Sequence, residues 1–239
     1  MFKDCNNLAT VTIGGTLDAI NADAFTECST LSTLNIPGSI GTIGALTSLN
    51  LTSLNISGHV GTISANAFDD CTKLSSVTFE SGSQDLHIGF QDHSSDKGTF
   101  YDSPFTYISL DRELVYDYDD LDTWDEGIFA TPNYDNDDPV VTVTLGTNVK
   151  TILPWMFSCV RMQKVEIPTS VTYIGKRAFS YCYILTEVTC MTTTPPTLGE
   201  DVFLDSPDKN NNLLDIKVPY DCVQKYKSAW NQYSHRIGW

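Results

Sequence analysis

Basic residues are scarce in this chain of 239 residues. Lys and Arg total 14 against 30 Asp and Glu, so the formal net charge is -16 and the sequence pI is about 4.3. A chain so charged has no basic face with which to hold nucleic acid or anionic lipid, and both are excluded as expected partners. No apolar run is long enough to span a bilayer, and no signal peptide is recognisable. The four histidines, His59, His87, His93 and His235, stand far apart in sequence. None has a Ser or Cys at a catalytic spacing. The chain also lacks a phosphate-binding glycine loop, HExxH and GxSxG. Seven cysteines are present, but no CxxC pair or Cys-His cluster has zinc spacing. The expectation is therefore a protein that is not an enzyme, with no catalytic residues, no metal and no cofactor.

What is present is a repeat. Apolar residues alternate at Val165 and Ile167, as in a short strand. Pro168 follows, which cannot donate to a ladder. Val171 and Ile174 turn inward again, Ala178, Phe179, Cys182 and Leu185 follow, and Val188 opens the next strand. The same order recurs at Phe25, Cys28, Leu31, Leu34 and Ile36, and again at Phe68, Cys71, Leu74, Val77 and Phe79. The chain opens inside another copy, at Phe2, Cys5, Leu8, Val11 and Ile13. A degenerate copy runs Ala45, Ser48, Leu51, Leu54, Ile56, and looser copies end at Ile108/Leu110, Val143/Leu145 and Ile216/Val218. The step of roughly 20–23 residues lies in the leucine-rich-repeat range, and no unit of this size has a face that it can bury alone.

The Ala-Phe-x-x-Cys-x-x-Leu runs at 24–31, 67–74 and 178–185 resemble the BspA-like, or Treponema-type, leucine-rich repeats of bacterial cell-surface proteins. The Ile-Pro-x-Ser-Val/Ile segments at 36–40 and 167–171 carry the same resemblance. So do Ser103-Pro104-Phe105 and Tyr107-Ile108-Ser109-Leu110-Asp111-Arg112. It covers nearly all of the chain. It implies a curved solenoid, display on the outside of a cell and a role in binding or adhesion. It carries no catalytic residue across, because the shared motif is made of core positions.

The fold expected is α/β, in one domain spanning 1–239. It is a right-handed leucine-rich-repeat solenoid of about eight or nine units. A concave parallel β-sheet lies on one side and short helical turns on the convex side. A parallel β-helix is the alternative, but it has no use for the recurrent Ala-Phe-x-x-Cys turn. Residues 1–80 read as regular repeats, 81–139 as irregular repeats with an acidic-aromatic insert, 140–218 as regular repeats again and 219–239 as a cap. Asn66 and Asp23, just before the Ala-Phe pairs, stand where a capping side chain is useful. In the last segment Val223, Tyr226, Trp230, Tyr233 and Ile237 form an apolar helical stripe, best explained as a C-terminal capping helix on the final repeat. Phe2 already holds the repeat's Phe position, with no polar cap before it. The expected location is thus extracellular or at the cell surface, with export signal and anchor lying outside this sequence.

The Cys column at 5, 28, 71 and 182, with Cys159 close to it, reads as reduced core packing, with disulfides as the other reading. Cys190 and Cys222 read as candidate free thiols. The insert between 111 and 138 mixes Asp117, Asp119, Asp120, Asp122, Asp125, Glu126, Asp135, Asp137 and Asp138 with Tyr116, Tyr118, Trp124, Phe129 and Tyr134. A structured bulge pinned by Trp124 and Phe129 is expected there. Asp117 to Asp122 could hold calcium but lacks an EF-hand's glycine and terminal glutamate. A glycan-binding or carbohydrate-active role for this insert is the alternative function.

If Leu34 and Ile36 point inward, Thr33 and Asn35 point outward. Repeating the argument predicts an outward column that is small and uncharged in the first half and charged in the second. Tyr107 is its one large aromatic, and Lys164, Glu166, Glu187 and Lys217 are its charges. These five are the candidate binding residues. The partner expected is a protein, such as host extracellular matrix or a neighbouring cell surface, bound by a monomer without membrane insertion.

Overall fold

The computed structural model describes residues 2–47, 49–82, 84–89, 99–100, 103–116, 127–130, 139–206 and 214–239. In chain order the strands are Thr10–Thr12 (β1), Thr16–Ile20 (β2), Thr33–Ile36 (β3), Ser39–Ile43 (β4), Ser53–Ile56 (β5), His59–Ile63 (β6), Ser76–Phe79 (β7), Leu86–Ile88 (β8) and Tyr107–Leu110 (β9). They continue with Leu114–Val115 (β10), Thr142–Leu145 (β11), Thr151–Ile152 (β12), Lys164–Ile167 (β13), Tyr173–Ile174 (β14), Glu187–Cys190 (β15), Thr197–Leu198 (β16), Asp215–Lys217 (β17) and Ile237–Gly238 (β18). Among the described residues one α-helix, α1, spans Val223–Ala229, with 3₁₀ turns on either side at Tyr220–Cys222 and Asn231–Arg236.

Each coil contributes one strand to a long sheet and a second strand to another. The long sheet runs β1-β3-β5-β7-β9-β11 and continues, beside β11, as β13-β15-β17-β18. The other runs β10-β8-β6-β4-β2, with β12-β14-β16 in the later coils. All pairs are parallel and in register, for example Val11↔Leu34, Leu34↔Leu54, Leu54↔Val77 and Val77↔Ile108. Like residues therefore stack on like along the axis. The fold is the right-handed leucine-rich-repeat solenoid expected from the sequence, with its C-terminal capping helix.

The second sheet is the feature that alternation did not predict. Ile40 and Ile43, and likewise Val60 and Ile63, are all fully buried although three residues apart. Both strands bend at a glycine. A Cβ on Gly61 would lie 2.7 Å from the carbonyl oxygen of Gly41, so these corners pack backbone on backbone.

The Ala-Phe-x-x-Cys segments are short helical or tight turns. Only Ala22–Phe25 is a 3₁₀ helix; the others described are tight turns with a left-handed residue two positions after the Phe, as at Asp70, Cys159, Tyr181 and Asp205. Alternate N–H groups then point at the next coil: Trp155 N–H donates to Lys176 O, Phe157 N–H to Ala178 O and Cys159 N–H to Ser180 O, at 2.9–3.0 Å. These cross-coil bonds take the place of helical ones. The capping expectation fails for the same reason. Asn66 itself has φ 58, its Oδ1 is buried without a partner, and Asp23 lies inside the 3₁₀ turn, whose N-cap Asn21 makes no side-chain bond.

The phenylalanines of these turns form a spine. Phe68, Phe100, Phe129, Phe157, Phe179 and Phe203 stack in series with centroids 5.3–5.7 Å apart, and Tyr233 closes the row edge-on at 5.2 Å. Stacked pairs contribute about 0.5–1.5 kcal/mol each beyond burial. Phe129 thus ties the insert region to the core as expected, whereas Trp124 lies outside the described residues. Phe2 and Phe25 form a separate pair at 5.7 Å, because the third coil has no Phe.

All seven cysteines are free, with Cys5 exposed and the other six buried. Their column is also a hydrogen-bond column. Cys28 Sγ donates to Phe2 O at 2.8 Å, Cys182 Sγ to Phe157 O at 3.1 Å and Cys71 Sγ, longer at 3.7 Å, to Leu46 O. In the last turn Ser206 Oγ does the same to Phe179 O at 2.7 Å. Arg112, 1% exposed, reaches back across two coils: Nε donates to Glu80 O at 2.7 Å and Nη2 to Gly58 O at 3.0 Å.

Candidate functional site

The long sheet's outward side carries two rows. The register places Thr10, Thr33, Ser53, Ser76, Tyr107 and Thr142 in one, and Thr12, Asn35, Asn55, Thr78, Ser109 and Thr144 in the other. Lys164, Glu187 and Asp215 line up across the later strands, as do Glu166, Thr189 and Lys217. Every residue that the alternation predicted to face outward is half-buried or exposed.

Tyr107 is 37% exposed, between Ser76 and Thr142 on the flanking strands. Both neighbours are small, so the ring stands above them. Ser53 Oγ bonds Thr33 Oγ1 at 3.3 Å, and Asn55 Nδ2 donates to Glu80 Oε1 at 3.2 Å.

The charged half is more organised than the sequence suggested. Glu187 accepts from two lysines: Lys217 Nζ lies 2.6 Å from Oε2 and Lys164 Nζ lies 3.3 Å from Oε1. The hydrogen bond from Lys217 and the charge of Lys164 hold the Glu187 carboxyl below the usual carboxylate range, although desolvation opposes them. The same bond raises Lys217 above the usual ammonium range. Three of the five candidate residues thus form one Lys-Glu-Lys cluster. Glu166, on β13 beside Lys164, is exposed and makes no ion pair among the described residues.

A second polar feature escaped the sequence reading. Where a Ser or Thr stands just before a strand of the long sheet, it donates to a carbonyl of the previous coil: Ser32 to Ala9 O, Thr52 to Ser32 O, Ser75 to Thr52 O, Thr106 to Ser75 O and Thr186 to Gln163 O, at 3.1–3.2 Å. Much of the Ser/Thr richness therefore belongs to the frame and not to a site. The signal was available, since a Ser or Thr precedes these strands in sequence.

Among the described residues no group of three or more His, Cys, Asp or Glu could hold a metal ion. His59, His87 and His235 are exposed and lie in separate parts of the chain. At the edge of the insert, Asp111 accepts Asn148 N–H at 3.0 Å and Glu113 accepts Lys150 N–H at 2.8 Å, so both bind the next coil. Asp117 to Asp122, His93 and most of the acidic-aromatic insert lie outside the described residues. No described helix is long and apolar enough to cross a membrane.

The model of the BspA type leucine-rich-repeat region matches six copies over residues 1–114 and 134–233. Among solved structures, a leucine-rich-repeat protein from Bacteroides ovatus ATCC 8483 aligns with a TM-score of 0.57 at 19% identity. The alignment covers all of this chain and 56% of the other, so this chain spans little more than half that protein's length. No curated protein matches.

Proposed function

The chain belongs to the BspA-type leucine-rich-repeat family, and from that premise we propose that it is a non-catalytic binding module for a protein ligand, exported or held at a cell surface. The ligand is bound across the outward side of the long sheet, around Tyr107, Lys164 and Glu166, with Glu187 and Lys217 completing the charged end. The observation that carries this reading is Tyr107. A half-exposed aromatic between two small polar neighbours offers a partner a ring to pack against and room to approach, and aromatics are favoured interface anchors.

The Lys-Glu-Lys cluster refines the role of the charges. Lys164 and Lys217 hold Glu187 in one conformation, so the charged end is pre-ordered and needs little further fixing when a partner docks. Its sum is one positive charge, beside Glu166. That pattern orients a partner by complementary charge more than it adds affinity.

The test is capture from host extracellular matrix and serum by wild type, Tyr107→Ala and Glu166→Lys, with the bound protein then purified for titration. Tyr107→Ala is expected to weaken binding by about 1–3 kcal/mol without unfolding, because the side chain points away from the core. Glu166→Lys is expected to change chiefly the association rate and its salt dependence. Equal affinity of all three proteins would move the site off this face. Failure of the wild type to capture any protein would leave the adhesion role unsupported.

A further inference from the structure

The third coil is short. From strand to strand it spans 20 residues, as between Thr33 and Ser53, where the next coil spans 23, as between Thr52 and Ser75. The deficit falls in the turn that elsewhere carries Ala-Phe-x-x-Cys. The strands on both sheets still pair across this seam, and Gly44 N–H donates to Ile20 O at 2.8 Å. The turns do not close over it. A cleft of about 500 Å³ remains between residues 22–29 on one side and 45–47 with 49–50 on the other, lined by Asp23, Glu27, Ser29, Ala45, Thr47 and Asn50 among others.

Among the described residues the seam leaves specific donors without backbone acceptors. In regular coils the N–H two positions after the Phe donates to the next coil: Asp4 to Thr26 O at 2.9 Å, Cys159 to Ser180 O at 3.0 Å and Tyr181 to Leu204 O at 2.8 Å. The N–H two positions before the Phe does so as well, as with Trp155 to Lys176 O and Arg177 to Glu200 O. The equivalents beside the cleft are Glu27 and Asp23, and among the described residues neither N–H has a backbone acceptor. Glu27 nevertheless keeps the left-handed backbone of its counterparts, φ 60. Among the described residues a polar bond across the turns runs from Asn50 Nδ2 to Ser29 O at 3.0 Å.

We propose that this cleft docks a basic segment of a partner polypeptide, which supplies the cross-coil contacts that the short coil leaves unmade. The site lies at the turns and is independent of the sheet face argued above. Wherever the row of N–H donors is occupied in this protein, the acceptors are backbone carbonyls at alternate residues, such as Lys176, Ala178 and Ser180. A polypeptide presents that spacing. Two acidic side chains, Asp23 and Glu27, and no basic one line the cleft. An anionic ligand is thereby opposed and a Lys- or Arg-bearing one favoured.

The test is an amide NMR titration of the full chain with one synthetic octapeptide, residues 175–182 of this sequence with Cys182→Ser. The expected result is saturable movement of the Glu27 and Asp23 amide signals. A Lys176→Glu, Arg177→Glu version of the peptide should bind at least about tenfold more weakly, and Asp23→Asn with Glu27→Gln in the protein should weaken the original peptide by about fivefold, as expected for losing two exposed ion pairs. Both protein substitutions are at exposed positions, so the fold is retained. No shift at Glu27, shifts centred instead on Tyr107, or equal binding of the charge-reversed peptide would each overturn the proposal. Shifts at Tyr107 alone would count for the sheet-face reading, so the two proposals can fail separately.

Discussion

Cys28, Cys71 and Cys182 fill core volume and also donate to carbonyls of the preceding coil. Ser206 does the same with a hydroxyl, so the position selects a small donor more than sulfur as such. Burial pushes the Cys71 thiol up to about 11, raises Cys182 further and pushes Cys190 up to about 12, so almost no thiolate exists at neutral pH. Iodoacetamide at pH 8 is expected to modify Cys5 quickly in the native protein and the buried six only on unfolding. Rapid native labelling of Cys28, Cys71 and Cys182 would contradict the packing. Cys182→Ala should cost about 1–2 kcal/mol, from lost volume and a carbonyl left without its donor. Cys182→Ser should cost less, which urea denaturation of the pair will resolve. Also at this scale, the Glu187 carboxyl titrates below the usual range. A depressed folded pKa contributes stability above the ordinary carboxylate pKa, and that contribution is lost as pH falls through the depressed value. The raised Lys217 works in the opposite sense, losing its contribution as pH rises through its folded pKa. Carbon-detected NMR should show the Glu187 midpoint moving up in Lys217→Met. An unchanged midpoint would mean that the 2.6 Å pair does not persist in solution.

The cap shows what an element adds beyond its residues. Val223, Tyr226, Trp230, Tyr233 and Ile237 were legible as a stripe because helical spacing is local. What they dock against was not legible. Tyr226 Oη donates to Thr192 O at 2.9 Å and Trp230 Nε1 to Pro196 O at 2.8 Å. Lys225 Nζ adds a bond to Thr193 O at 3.0 Å, so the cap is held by the Thr-Pro loop of 192–197. After α1 the chain returns as β18 and pairs in parallel with β17, Ile216↔Ile237. The stripe's last member therefore belongs to a strand, a result that no period within five residues could show. Trp230→Phe keeps most of the packing and leaves Pro196 O without its donor, for an expected loss of about 1–2 kcal/mol. Trp230→Ala should cost about 3–5 kcal/mol, in the range for emptying a buried aromatic site. Thermal melts that rank the two variants in the opposite order would show that the docking is misplaced.

For the whole molecule the relevant quantity is the strength of each seam between coils, because a solenoid's stability is close to a sum of repeat and nearest-neighbour terms. The seams from Phe68 to Phe203 share a continuous aromatic spine. Among the described residues the seam between the second and third coils has no aromatic contact and no thiol-to-carbonyl bond, and a cleft lies at its turns. Native-state hydrogen exchange is expected to show two levels of protection. Strands β1 to β4, before or at the edge of the weak seam, should exchange faster than β13 to β17. Uniform protection along the chain would mean that sheet pairing alone sets cooperativity. Filling the turn, by inserting three residues so that it reads Ala-Phe-x-x-Cys, should raise protection of β1 and β3 and abolish peptide binding at Glu27.

The sequence by itself determined the repeat, the inward residues of the long sheet, the outward column with Tyr107 at its middle and the existence of the cap. All of these follow from short periods: two for a strand, three to four for the cap and about twenty-three for the coil. Tertiary structure alone decided the rest, because it depends on which residues meet across coils. Strands β4 and β6 are bent at glycines, so Ile40/Ile43 and Val60/Ile63 break the two-residue alternation while remaining in a sheet. The Phe turns give up helical bonds for cross-coil ones, a choice that exists only once a neighbour is stacked beside them. Lys164, Glu187 and Lys217 lie 23 and 30 residues apart and become one cluster only through register. The missing three residues of the third coil read in sequence as a degenerate repeat; stacked between complete coils, the same deletion becomes a cleft at the turns.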